Sequence, residues 1–315
     1  MARRRAMAIG VPSRFAYGGG WRLVRSALVL AVIMLLVLGG VGVFLAYRVI
    51  TSQNITEIVT PTSSFLSNFE SLGFTDRKGG EHEGWLLVGL KGAPVVVLSP
   101  SYDSNRSELL SLGGVLRQNH FNVYVYNPRG PRTKQTYSDL GIRQSEDLLA
   151  ALETVVKLPG VNPRRVGVYG TGTGGYASLV AAQQSPLVKC LVVDSAYQDP
   201  TQMVEAQVDD LLGGSSSLFR LLPRTVFRIL TLRTSKPAVQ DSLPKLANMP
   251  KLFIQGRDSA VLSAATADLY NLAPQPKRML VMDQSYTALA SGAVKKEYEN
   301  QVLNFFLQNL PLRAD

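Results

Sequence analysis

Between residues 85 and 282, seven short apolar runs alternate with longer stretches of helical spacing. The runs are WLLVGL (85–90), PVVVLS (94–99), NVYVYN (122–127), RVGVY (165–169), KCLVVD (189–194), PKLFIQ (250–255) and KRMLVM (277–282). Most are apolar at nearly every position, as strands covered on both faces of a parallel sheet must be, since neither side chain of each alternating pair meets water. The intervening stretches 106–119, 143–158, 174–184 and 262–273, with a closing one at 294–309, carry helical periodicity. Strand-then-helix repetition of this kind predicts an α/β domain with a doubly wound, mostly parallel sheet. Residues 200–245 break the rhythm with two helical stretches and no strong strand between them, which predicts a helical cap inserted over the strand ends.

Ahead of this domain, residues 27–47 read ALVLAVIMLLVLGGVGVFLAY, 21 uncharged residues. At about 1.5 Å per residue such a helix covers the roughly 30 Å of hydrocarbon in a bilayer. A cleavable signal peptide has a shorter apolar region and a small-residue cleavage site, and Ala46-Tyr47-Arg48 is a poor one. The expectation is one transmembrane helix over 26–48, a basic cytoplasmic tail at 1–25, a polar stalk at 49–80, and a domain over 81–315. The net charge of +10 does not point to nucleic acid. Seven arginines and no acid lie in residues 1–50, and the remaining 26 basic residues nearly balance 23 acidic ones. Arginine before the span keeps the N-terminus in the cytoplasm, so the domain is expected outside the cell membrane. Cys190 is the only cysteine, so no intrachain disulfide can form and the compartment is not decided by it.

RVGVY runs straight into Gly170-Thr171-Gly172-Thr173-Gly174-Gly175, and a helix is predicted to follow. Strand, glycine-rich turn and helix form the layout of a nucleophile elbow, G-x-S-x-G, with Gly172 in the place of the serine. A dinucleotide fingerprint is the competing reading of these glycines, but it belongs after the first strand of its unit, with an acid about 20 residues on contacting a ribose. Asp194 lies at that distance but comes after several strands and helices have already passed. No cofactor is expected.

On these motifs the chain resembles the α/β-hydrolase superfamily over about residues 85–310, and more narrowly its single-span, membrane-anchored members with dienelactone hydrolase or serine aminopeptidase-like domains. Asn127-Pro128-Arg129-Gly130-Pro131 is similar to the family's D-x-R-G-x-G turn, and Asp194-Ser195-Ala196-Tyr197 follows the strand after the elbow. The resemblance implies a Ser-His-acid triad, and two of its members are altered. Gly172 holds the nucleophile position and Tyr286 the histidine position, in Met282-Asp283-Gln284-Ser285-Tyr286. For the acid, Gly256-Arg257-Asp258-Ser259-Ala260-Val261 allows two registers, with Asp258 favoured over Ser259. The oxyanion loop reads Pro100-Ser101-Tyr102 where the family has H-G-x, and proline brings no backbone donor.

His82 and His120 are the only histidines, and both are expected in surface or loop positions away from the elbow. Glycine supplies no nucleophile, and a tyrosine with an ordinary pKa near 10 is a poor base at neutral pH. The expectation is a membrane-anchored binding or scaffold module on a hydrolase fold. Its pocket would be bounded by Pro100, Ser101, Tyr102, Thr171, Thr173 and Arg129, with Arg132 and Lys134 on one approach. Its ligand would be small and acyl- or peptide-like, or a protein partner. The alternatives are an active serine-type hydrolase with a displaced nucleophile, such as Ser101 or Ser104, and a structural subunit of a membrane complex. No metal ligands are expected.

Overall fold

The structure is a computed structural model that describes residues 18–51, 69–104, 106–127, 138–214, 217–232, 234, 239–289 and 291–312. Its strands are β1 (Phe69–Ser71), β2 (Phe74–Thr75), β3 (Glu81–His82), β4 (Gly84–Leu87), β5 (Ala93–Ser99), β6 (Asn122–Tyr126), β7 (Val161–Thr171), β8 (Val188–Asp194), β9 (Lys251–Gly256) and β10 (Lys277–Met282). The helices are α1 (Gly18–Ile50), α2 (Leu110–Gln118), α3 (Ile142–Val155), α4 (Thr173–Gln184), α5 (Pro200–Leu212), α6 (Ser217–Leu230), α7 (Val239–Ser242), α8 (Ala260–Leu272) and α9 (Ala293–Asn309).

Eight strands form one sheet in the order β1-β4-β6-β5-β7-β8-β9-β10, and β2 and β3 pair separately. β5 to β10 run parallel, whereas β4 lies antiparallel between β1 and β6. Each of the seven runs singled out in the sequence overlaps one of the strands β4 to β10. β5 and β6 are buried along their whole length, which explains why their sequences do not alternate. Two apolar layers flank the sheet. One contains Leu112 and Leu116 of α2 with Val302 and Phe306 of α9, and the other contains Leu152 of α3, Leu179 of α4 and Leu269 of α8. The mostly parallel, doubly wound sheet is thus present, as expected.

Residues 69–80, expected in the stalk, instead include β1 on the sheet edge and the start of the β2–β3 pair. Strands of two or three residues at an edge leave too little periodicity to read from sequence. α5, α6 and α7 fall in the stretch 200–245 expected as the cap. α1 is long and apolar enough to cross a membrane, and only 11% of its most apolar stretch is buried.

Candidate functional site

β7 and α4 meet at Gly172, which has φ +54° and ψ −117°. Side chains rarely adopt a positive φ, and glycine relieves that strain. The turn is further fixed by Gly172 N–H, which donates to the Asp194 carbonyl at 3.0 Å, and by Tyr176 N–H, which donates to the Gly172 carbonyl at 3.1 Å. Gly174 allows the helix start to pass against β5, because a Cβ there would lie 2.1 Å from the Ser99 carbonyl oxygen. The elbow backbone is therefore complete although its central side chain is missing.

The space where that side chain would begin is already occupied. A Cβ on Gly172 would stand 2.6 Å from Ser101 Oγ, 3.1 Å from Ser101 Cβ and 3.2 Å from Met203 Cε. In this fold the oxyanion donors are the backbone N–H after the nucleophile and one from the loop after the third main strand. Here those positions are Thr173 and Tyr102, and both N–H groups have internal acceptors. Tyr102 N–H donates to Thr173 Oγ1 at 2.8 Å, and Thr173 N–H points at Ser101 Oγ at 3.5 Å, the outer limit of a hydrogen bond. Thr173 Oγ1 in turn donates to Gln144 Oε1 at 2.9 Å, while Gln144 Nε2 donates to the Pro100 carbonyl at 2.7 Å and to Ser99 Oγ at 3.1 Å. Gln144 thus clamps the loop after β5 onto the elbow, a role that no sequence motif announces.

Of the two candidate acid registers, Asp258 reaches the neighbouring loop. Its Oδ1 accepts from Ser285 N–H at 3.1 Å and its Oδ2 from Ser285 Oγ at 2.6 Å. Ser259 instead caps α8, its hydroxyl accepting from Leu262 N–H at 3.4 Å. The residue facing the acid is therefore Ser285, one position before the Tyr286 expected from sequence, and this corrects the register of the loop after β10. Tyr286 turns into the apolar layer beneath α2 and α9, where its hydroxyl donates to Glu299 Oε1 at 2.9 Å and accepts from Leu112 N–H at 3.2 Å. A buried phenol needs such partners, and the layer supplies them. Burial and the Glu299 carboxylate push the Tyr286 hydroxyl well above its ordinary pKa, away from any use as a base.

Gly172, Asp258 and Ser285 line one cavity of about 730 Å³, together with Ser101, Thr171 and Met203. Pro100, Tyr102 and Thr173 lie behind this wall as its hydrogen-bonded support. Arg129, with Arg132 and Lys134, lies outside the described residues. Asp103, Glu108, Asp209, Asp210 and Asp258 place carboxylates along the wall, and no lysine or arginine stands among the described lining residues. Asp209 is paired with Arg220 at 2.7 Å.

Beneath the cavity, Asp194 at the end of β8 is fully buried. It accepts from Tyr286 N–H at 2.8 Å, Tyr298 hydroxyl at 2.7 Å and Ser195 hydroxyl at 2.9 Å, so it fastens the loop after β10 to the sheet. Burial outweighs these donors and raises its pKa to about 6. His120 is exposed, as expected, but His82 is not a surface residue. It is 3% exposed, stacks on Phe74 at 4.7 Å between ring centres, and hydrogen-bonds Asp76 at 3.0 Å. Asp76, His82 and Asp147 bring potential ligand atoms within 4.8 Å of one another. Asp76 already closes its own turn there by accepting from Lys78 and Gly80 N–H.

The family model described as the prolyl oligopeptidase family matches residues 113–210, the segment containing the elbow. No curated protein matches the chain in sequence. Among solved structures, an esterase from Pyrococcus furiosus superposes with a TM-score of 0.63 at 16% identity, covering 83% of this chain and 98% of its own. A dienelactone hydrolase from Anabaena variabilis gives 0.57 at 18% identity, covering 77% and 98%. Est1E from Butyrivibrio proteoclasticus gives 0.57 at 15% identity, covering 76% and 98%. Strand order, elbow geometry and these likenesses together show that the chain has the α/β-hydrolase fold.

Proposed function

We propose that the chain is a membrane-anchored binding or scaffold module that keeps the hydrolase fold without the hydrolase chemistry. The observation that carries this reading is the elbow. Gly172 offers no nucleophile, and the two N–H groups that would hold an oxyanion already have acceptors in Thr173 and Ser101. Asp258 faces a serine hydroxyl in place of an imidazole. Removing the nucleophile or the base from a serine hydrolase costs on the order of 10⁶ in turnover. The cavity remains large enough for a small ligand, and its acidic wall disfavours a free carboxylate.

The full chain in mild detergent is expected neither to label with a fluorophosphonate probe nor to hydrolyse p-nitrophenyl esters above background. Labelling that disappears in Ser101→Ala would establish the second reading, a hydrolase with a displaced nucleophile. That reading draws on the position of Ser101 Oγ, close to where a nucleophile on Gly172 would stand. For orientation, the seven arginines before and beside the apolar run support a cytoplasmic N-terminus and an outward-facing domain. Protease added to intact spheroplasts should release the domain, and full protection would reverse the orientation.

A further inference from the structure

The cap helix α6 packs on α1 within its apolar stretch. A Cβ on Gly42 would lie 2.6 Å from Leu222 Cβ, so the two helices approach as closely as small-residue contacts between membrane helices do. The buried side of α1 continues along one stripe through Leu45, Ala46, Val49 and Ile50. Gly42 lies five residues before Tyr47, where the uncharged run ends. At the helical rise this is about 7 Å inside the end of the span, which matches the depth of roughly 5–10 Å at which amphipathic helices settle in a membrane interface.

α6 has the composition for that depth. Its sequence, SLFRLLPRTVFRIL, carries three arginines and no acid. Arg220 and Arg224 turn to Asp209 and Glu205 of α5 at 2.7 and 2.8 Å, so two of the three charges are neutralised by the protein itself. By contrast, Leu221, Ile229 and Leu230 are 56–61% exposed, and Leu232 just beyond the helix is 76% exposed. Exposure of four large apolar side chains to water is unfavourable relative to burial. Their helix touches α1, whose own apolar side chains, Leu35, Leu36 and Val37 among them, are likewise exposed.

Resting on the reading of α1 as a membrane span, we propose that α6 is a membrane-interface helix whose exposed apolar side chains, with Leu232 just beyond it, are covered by acyl chains of the outer leaflet. The cap of the cavity is then partly immersed, and the domain is held at a fixed height and orientation on the membrane.

The test uses the full chain in lipid nanodiscs, with a bimane fluorophore on Ile229→Cys, Val32→Cys or Leu90→Cys; Cys190 is buried and stays unlabelled. Leu90 lies at the opposite edge of the sheet from the cap and reports water, whereas Val32 reports the span. With shallow doxyl-labelled lipid, the Ile229 site is expected to lose emission while the Leu90 site keeps its own. If Val32 is quenched by deep doxyl lipid but Ile229 by neither lipid, the proposal is overturned. Dimer-specific crosslinking through Ile229→Cys in that case would assign the face to a second copy of the chain. If Val32 itself is unquenched, the reading of α1 as a span is what fails, and the interface proposal fails with it.

Discussion

Restoring serine at the elbow should damage the protein before it helps it. Gly172→Ser forces a side chain onto φ +54°, and non-glycine residues in sparsely populated backbone regions cost about 1–3 kcal/mol. The new Cβ also meets Ser101 Oγ at 2.6 Å, closer than real Cβ contacts come, and Ser101 is itself buried. Overpacking of this kind costs a further 1–3 kcal/mol or so, giving about 2–6 kcal/mol in total. For a domain of this size, roughly 2–4 °C is lost per kcal/mol, so the melting temperature should fall by about 4–24 °C. Adding Ser101→Gly removes the hydroxyl and Cβ that obstruct the new side chain and should return on the order of 1–2 kcal/mol of the loss, while the backbone share persists. Thermal unfolding of the three proteins, followed by circular dichroism in one detergent, reads both effects. A Gly172→Ser protein as stable as the parent, or a double variant no better than the single, would refute the geometry assigned to the elbow. Neither variant should label with fluorophosphonate, because the residue facing Asp258 is still Ser285.

Two further predictions concern the layer beneath the pocket. Asp194 is raised from 3.8 to about 6 in the folded state, so its contribution to stability is full below about pH 4 and is lost as pH rises through 6, a swing of about 3 kcal/mol. The stability of Asp194→Asn relative to the parent should therefore improve by about that amount between pH 4 and pH 7 in denaturant titrations, and a difference constant in pH would exclude the assignment. Tyr286→Phe leaves the buried Glu299 carboxylate without that donor and Leu112 N–H without that acceptor, which should cost about 1–3 kcal/mol and leave the cavity unchanged. A neutral Tyr286→Phe would mean that its hydroxyl does not hold these groups.

The sheet was legible because β5, β6 and β8 are buried enough that their sequences contain almost nothing but apolar residues, and the elbow because glycines at 170, 172 and 174 leave few other uses for a strand-to-helix turn. The β2–β3 pair was not legible, since two-residue strands have no period. A surface or loop position is all the sequence offers for His82, because its burial depends on Phe74 and the Asp76 turn, neighbours that the β2–β3 pair brings together. Tyr286 stands one residue beyond the position opposite Asp258, in a loop whose register is fixed by Asp194 at the end of β8 and Asp258 just after β9. The commitment of the oxyanion donors depends on Gln144 and Thr173, which lie on different helices, and spacing along the chain says nothing about their contact.

What the elbow now does follows from what surrounds it. With Gly172 in place, a turn that normally stores strain beneath a reactive serine can be held at little cost, and its neighbours bond to one another where a catalytic site would keep them open. Thr173, Gln144 and the Pro100 carbonyl lock the loop after β5. The same loop carries Tyr102, whose hydroxyl donates to the Val49 carbonyl at the end of α1 at 2.8 Å, while Ser138 N–H donates to the Ile50 carbonyl at 2.7 Å. A chain of hydrogen bonds therefore runs from α1 through Tyr102 to Thr173 beside the elbow. In an active hydrolase, Tyr102 N–H would have to be free to meet the substrate oxyanion at each turnover. Here it donates to Thr173 Oγ1 while the hydroxyl of the same residue reaches α1, an arrangement that supports the proposed receptor or scaffold role.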